Sequence, residues 1–216
     1  MKKNKLFYIV VLTILSGFIN SYTILSYGYT TSHLTGNLSN LAINVGLGTG
    51  KIYLTLFSII LAFLLGSFVT GFIFNKRKNT PYLFAIMPLG FSLLLLILSA
   101  FRLDSKLGLY GLAFISGMQN ALPLSYMGVG IRTTHMTGYV TDLGWEMADL
   151  VRMRKKDPSK AYLYLASILF FVLGSYMGVV AVTGKSKTYL LILALSYFLL
   201  GLISFVKIRL ELDRIK

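Results

Sequence analysis

The chain has no cysteine. That excludes disulfides, iron–sulfur clusters and thiol nucleophiles together, and leaves the compartment open. Acids are nearly as scarce. Asp104, Asp142, Glu146, Asp149, Asp157, Glu211 and Asp213 are the only ones, and charged residues make up 13% of the sequence. Soluble domains carry roughly 25%, so the chain falls outside that class. No acid sits in the middle of an apolar run. This counts against a membrane-embedded enzyme acting on lipid or isoprenoid, which needs a D-D-x-x-D motif or a dyad of acids within its spans. Histidine occurs twice. Two histidines without Cys or a nearby intramembrane carboxylate are too few for a closed zinc site. A Ser-His-acid arrangement would have to draw on Asp142 or Glu146, in one place only. The expectation is a non-enzyme with no metal and no cofactor.

What the chain does have is apolar length. Hydrophobic residues reach 56% and the mean hydropathy is +0.73. Residues 6–29, 52–74, 82–101 and 161–183 are long apolar runs, and 107–130 and 188–206 are slightly more interrupted. A span needs about 20 mostly apolar residues, which gives six transmembrane helices. The first run is too long for the h-region of a cleavable signal peptide, about 7–15 residues, and no A-x-A-like site follows.

The formal charge of +14 follows the topology. With the N-terminus inside, the inner segments hold Lys2, Lys3, Lys5, Lys76, Arg77, Lys78, Arg132, Arg152, Arg154, Lys155, Lys156, Lys160, Lys207, Arg209, Arg214 and Lys216. The outer segments hold Lys51, Arg102, Lys106, Lys185 and Lys187. Positive loops stay in the cytoplasm, so both termini are expected there. The charge orients helices in a bilayer, and no nucleic-acid partner is implied.

The chain also repeats itself. "LSGFIN" at 15–20 pairs with "ISGMQN" at 115–120, "LSY" at 25–27 with "LSY" at 124–126, and "SHLTGNLSNL" at 32–41 with "THMTGYVTDL" at 134–143. The blocks keep their order in a single membrane domain, 1–216, with repeats over about 6–101 and 107–206. Three spans per repeat make the second copy enter from the opposite face. The expected fold is all-α, with six transmembrane helices as a 3+3 inverted-topology repeat and short or re-entrant helices after the first and fourth spans. Many secondary transporters put their site near mid-membrane where such repeats meet.

The duplicated cluster supplies the candidate site. Thr35-Gly36 and Thr137-Gly138 are expected to start helices, with threonine as N-cap. A helix start inside the membrane offers free amides and about half a positive charge to an anion or polar group. His33 and His135 are open to two readings, as proton carriers or as scaffolds that hold the loops. Asn20 and Asn120 lie mid-span, as helix–helix glue or solute contacts. Tyr27 and Tyr126 are expected as interfacial anchors. Asp142, Glu146 and Asp149 form an acidic stripe expected on a solvated face. Asp142 sits deepest, and Arg132 is placed to pair with it or with an anionic solute.

"HLTGNLSNL", "SGMQNAL" and "RTTHMTGYVTDLG" resemble the YoaK-like family of uncharacterised bacterial membrane proteins. The resemblance covers nearly the whole chain and rests on His33, Thr35, Gly36, Asn37, Arg132, Thr133, His135, Thr137 and Gly138. It implies an integral protein of the bacterial cytoplasmic membrane and supplies no solute. The first copy reads "TSHLTGN" where the family usually shows G-H-M-T-G-N, so Ser32 replaces a glycine. The leading functional expectation is a small transporter or facilitator for a polar or anionic solute. The alternative is a structural or assembly membrane protein. A homodimer is a further expectation, with Gly66, Gly71, Gly174 and Gly178 offering close-packing faces.

Overall fold

The computed structural model describes residues 2–74, 81–100, 106–154, 157–184 and 189–213. The charges counted at Lys76, Arg77, Lys78, Arg102, Lys155, Lys156, Lys185, Lys187, Arg214 and Lys216, and the acid Asp104, lie outside the described residues. The chain forms α1 (Lys2–Tyr27), α2 (Leu34–Gly46), α3 (Gly50–Ile73), α4 (Leu83–Ala100), α5 (Lys106–Asn120), a hairpin of β1 (Leu124–Tyr126) and β2 (Val129–Ile131), α6 (Met136–Val151), α7 (Ser159–Thr183) and α8 (Tyr189–Asp213).

Five of the helices are long and apolar enough to cross a membrane: Lys5–Tyr27, Gly50–Ile73, Leu83–Ala100, Ser159–Thr183 and Tyr189–Glu211. Their outer faces carry exposed Leu64, Phe68, Phe72, Leu93, Leu169, Ile192 and Leu195. So much exposed apolar surface suits hydrocarbon rather than water.

The expected span over 107–130 is corrected. Its helix stops at Asn120, after 15 residues, which rise only about 22 Å against a hydrocarbon core of about 30 Å. Pro123 is the cause. It lacks an N–H and biases Leu122 away from helical angles, whereas no proline stands between Asn20 and Leu25 and α1 continues to Tyr27. The same three residues, Leu-Ser-Tyr, are therefore helical at 25–27 and a strand at 124–126. Leu124, Ser125 and Tyr126 pair with Ile131, Gly130 and Val129. The turn between them holds Met127 and Gly128 at φ of 54° and 77°, the positive angles that a two-residue hairpin with native twist requires.

Packing is duplicated like the sequence. α1 packs on α7, α3 on α5, α4 on α8, and the short helices α2 and α6 lie on α3 and α7. Glycine sets the closest approaches. A Cβ on Gly17 would meet the Phe171 carbonyl oxygen at 2.1 Å, and one on Gly117 would meet that of Phe63 at 2.0 Å. In return, a Cβ on Gly174 would meet the Ile14 carbonyl oxygen at 1.9 Å and one on Gly66 that of Phe114 at 2.1 Å. Ser175 donates to Gly17 O and Ser67 to Gly117 O, at 3.3 and 3.1 Å. Gly178 also faces α1, through Phe18. Gly66, Gly174 and Gly178 are thus used inside the chain, while Gly71 meets open space.

The helix ends sort into two groups. Lys5 and Tyr8 of α1, Pro81 and Phe84 at the start of α4, Pro123 and Leu124 just past α5, and Ile203 to Glu211 of α8 line one cleft. At the other end Lys106, starting α5, donates to Thr55 near the start of α3 over 3.0 Å. There too the Tyr22 ring of α1 lies 5.0 Å from that of Tyr189, the first residue of α8. The core between them holds Leu12, Phe91, Leu95, Leu112, Ile115 and Tyr197, with Phe91 edge-on to Tyr197 at 5.5 Å.

Candidate functional site

After α1 the chain turns at Gly28, with φ of 77°, and Thr30 to Ser32 run back toward the bundle before α2 begins. Ser32 donates to Asn20 Oδ1 at 3.0 Å, and Asn37 Nδ2 donates to Thr30 O at 2.9 Å. The second copy repeats this with different chemistry. Thr134 donates to Asn120 Oδ1 at 2.7 Å, and the backbone N–H of Arg132 donates to Tyr139 OH at 2.9 Å. Asn20 and Asn120 are therefore neither free nor glue between distant helices. Each pins its own copy's loop.

The next layer crosses between copies. Thr31 is fully buried and accepts from Ser116 of α5 at 3.3 Å. Thr133, 1% exposed, accepts from Ser16 of α1 at 3.1 Å. Gln119 reinforces the second contact alone, its amide reaching Leu12 O at 2.9 Å, Thr133 Oγ1 at 2.8 Å and Ser16 Oγ. Tyr197 of α8 donates to Gln119 Oε1. Gln119 has an isoleucine, Ile19, at the matching place in α1, so the network is lopsided. Ser116 and Gln119 are one turn apart on α5, about 5–6 Å between Cβ atoms. The two loops thus reach α5 on neighbouring turns.

The helix starts differ from expectation. The N-caps are His33 and His135, while Thr35 and Thr137 lie in the first turn with exposed side chains and make no cap. Glycine follows for a steric reason. A Cβ at Gly36 would come within 2.6 Å of the His33 ring, and one at Gly138 within 2.1 Å of the His135 ring. Each imidazole lies back over the first turn of its helix.

The Arg132 guanidinium donates to Asn120 O at 2.8 Å, at the broken end of α5 where carbonyls are unsatisfied and carry partial negative charge. Asp142 is exposed on α6. Glu146 corrects the expected solvated stripe, being only 7% exposed. Tyr27 packs edge-on to Tyr22 at 6.1 Å, and Tyr126 packs beside the cluster of Ile131, Tyr139 and Tyr164. Both are half-buried. Burial pushes the Tyr139 phenol up to about 12, so it stays neutral while it accepts from Arg132. No group of three or more His, Asp or Glu side chains that could hold a metal occurs among the described residues.

Gln119 and Tyr197 escaped the sequence reading. Their signals were an amide and a phenol inside apolar runs, Gln119 in the one position where the two quoted repeat blocks differ in polarity. Tyr8 is another quiet feature. Its hydroxyl is buried with no hydrogen-bond partner among the described residues, a state that costs about 1–3 kcal/mol.

These features define a helical, multi-pass membrane-type protein in which two copies of one loop close on each other's first helix. The chain belongs to the family described as "Protein of unknown function (DUF1275)", which matches residues 8–204, in keeping with the resemblance drawn from the motifs. No curated protein and no solved structure matches it.

Proposed function

We propose that the chain is a small secondary transporter or facilitator that moves a small polar solute across a bacterial cytoplasmic membrane. In this reading α1, α3 and α4 form one repeat and α5, α7 and α8 the other. Five helices cross in full and the short α5, completed by the broken stretch that follows it, makes the sixth crossing with inverted topology; α2 and α6 are the re-entrant helices, and both termini are cytoplasmic. The arrangement of helix ends supports it, since α1 and α4 start where α5 and α8 finish. The breaking of α5 at Asn120 supports it too, because discontinuous helices line the sites of such transporters.

The observation that carries the reading is the crossed pair of contacts, Ser16 with Thr133 and Ser116 with Thr31. Each acts as a latch on one side of the midplane. Opening one while the other stays shut gives a solute access from a single face, and its oxygens or amides replace the hydroxyl partners that open. The cytoplasmic-side latch carries the extra Gln119 bonds and is the harder to open. Arg132 gives one of its five N–H donors to the end of α5 and keeps the others for a polar or anionic solute. No catalytic step is assigned to the chain. With Gly66, Gly174 and Gly178 used internally, a homodimer would draw on other faces, such as Val140 and Trp145 of α6, both exposed.

One observation favours the structural or assembly reading: Ser16, Ser116, Gln119, Thr31 and Thr133 all find partners inside the chain. Cysteine pairs separate the two on this natively cysteine-free background. Ser16→Cys with Thr133→Cys, and Ser116→Cys with Thr31→Cys, are oxidised in proteoliposomes loaded against a panel of glycerol, urea, small carboxylates and amino acids. A transporter loses uptake of its solute on oxidation of either pair and regains it on reduction. Uptake indifferent to both cross-links, or absent for the whole panel, would favour the structural reading. Single cysteines at Leu47 and Met153, both exposed, should take up an impermeant maleimide from opposite faces; labelling from one face would refute the inverted repeat.

A further inference from the structure

The cleft where the ends of α1, α4, α5 and α8 meet has a volume of about 310 Å³, at the lower end of ligand-site sizes, about 300–1,000 Å³. Its walls are apolar, built from Phe7, Phe84, Pro123, Leu124, Ile203 and Ile208, and its rim carries Lys5, Lys207 and Glu211. The Lys207 ammonium sits 4.7 Å over the Phe7 ring, so a second element holds it at the rim. Tyr8 lines the same cleft, and its buried hydroxyl has no hydrogen-bond partner among the described residues. Basic rim, apolar wall and a buried, unpartnered phenol among the lining residues match one chemistry: a phosphate on an acyl chain.

We propose that this cleft binds an anionic phospholipid from the leaflet facing that end. Its phosphate sits between Lys5 and Lys207, its chain runs along Phe84, Ile203 and Ile208, and a headgroup or ester oxygen gives the Tyr8 hydroxyl an acceptor. Glu211 lies on the same rim and sets the side from which the phosphate is kept away. Lysine suits this task as a compact charge on an apolar stem that lies along the wall. The site stands apart from the crossed latches and does not depend on transport.

The test is a titration of the purified full chain in dodecyl maltoside with dioleoyl phosphatidylglycerol, read by native mass spectrometry and by the thermal unfolding midpoint. Dioleoyl phosphatidylcholine and sodium phosphate are the comparison arms. Phosphatidylglycerol is expected to bind and raise the midpoint, while phosphatidylcholine and free phosphate leave it unchanged. Lys5→Gln and Lys207→Gln should each weaken that binding about fivefold, from roughly 1 kcal/mol per basic residue near an anionic headgroup. Tyr8→Phe keeps the ring and the packing, so it should unfold no earlier than wild type without lipid yet bind phosphatidylglycerol more weakly. Equal binding of phosphatidylcholine would overturn the proposal, as would lysine variants that bind like wild type. Should a lysine variant fail to fold, unchanged phosphatidylglycerol affinity in Tyr8→Phe overturns it alone.

Discussion

Ser16 on α1 donates to Thr133 across 3.1 Å, although 117 positions separate them in the chain. Ser116 on α5 does the same to Thr31 across 3.3 Å. Each loop is therefore held by the helix of the other copy, and loosening one copy must disturb its twin. Gln119 makes the first contact the stronger. That difference is open to measurement.

Gln119→Leu removes the amide that joins Leu12, Ser16, Thr133 and Tyr197. Orphaning a buried polar group costs about 1–3 kcal/mol in water-soluble proteins, but side-chain hydrogen bonds inside membranes average about 0.6. Ser16 and Thr133 can still bond each other, which spares part of the loss. The expected destabilisation is about 1–2 kcal/mol in a detergent-to-SDS unfolding titration. Tyr197→Phe, which leaves only one oxygen of Gln119 unpaired, should cost less than half as much. Equal stability of Gln119→Leu and wild type would remove Gln119 as the keystone of the crossing.

The glycine contacts give a sharper contrast. Gly17→Ala and Gly174→Ala each drive a methyl into a backbone carbonyl at 2.1 and 1.9 Å. Backbone cannot swing aside, so the α1–α7 pair must separate, at about 1–3 kcal/mol. Gly71→Ala faces open space and should be neutral or stabilising, since alanine outranks glycine in a helix by about 1 kcal/mol. Thermal midpoints of the three variants in detergent decide this. A Gly71→Ala protein as damaged as Gly17→Ala would mean that α3 uses that face as well.

Much of this was legible in the sequence, for identifiable reasons. The repeat blocks marked Ser16, Gly17 and Asn20 with their partners Ser116, Gly117 and Asn120: the serines hold the crossing, the glycines the close helix contacts, and each asparagine its own copy's loop. Long apolar runs located five helices because lipid-facing and buried surfaces are both apolar. The run over 107–130 misled for the same reason, since hydropathy cannot tell helix from extended chain and the warning lay in Pro123 alone. Threonine was preferred as N-cap on its usual chemistry, whereas the structure gives that place to histidine because Gly36 and Gly138 leave room for its ring. The partners of Ser16 and Ser116 were beyond reach, because nothing local says that a serine will meet the loop of the other half.

Asp157 offers a pH-dependent prediction at the start of α7. Its Oδ1 accepts from the Ser159 hydroxyl at 2.5 Å and from the Ser159 backbone N–H at 3.0 Å. These bonds hold its carboxyl below the usual aspartate range. A depressed folded value means that the stabilisation is present above the unfolded value, near 3.9, and is lost as pH falls through the folded one. Between pH 7 and pH 5 the contribution should therefore not change. Asp157→Asn should lower the unfolding midpoint slightly at pH 7, and the gap to wild type should close below about pH 4. A gap that widens on acidification would contradict the role of these two bonds.

The last prediction separates the two roles open to His135. A Cβ at Gly138 would overlap the far edge of the imidazole, 2.1 Å from Cδ2 and 2.3 Å from Nε2. The side chain is exposed, so the ring can rotate away, unlike the carbonyl that faces Gly17. Forcing it off its rotamer costs about 0.5–1.5 kcal/mol, while Gly→Ala inside a helix returns about 1 kcal/mol. The two terms nearly cancel. Gly138→Ala should then unfold within a degree or two of wild type, a change well under 1 kcal/mol for a chain of this size, while its histidine ring sits elsewhere. If ring position matters to the solute path, uptake falls in Gly138→Ala and in His135→Ala alike, and the double variant is no worse than either, since coupled positions are not additive. If the ring only props the loop, uptake persists in Gly138→Ala and falls only where stability falls. A Gly138→Ala protein destabilised as much as Gly17→Ala would show that the ring is locked in place and refute the cancellation.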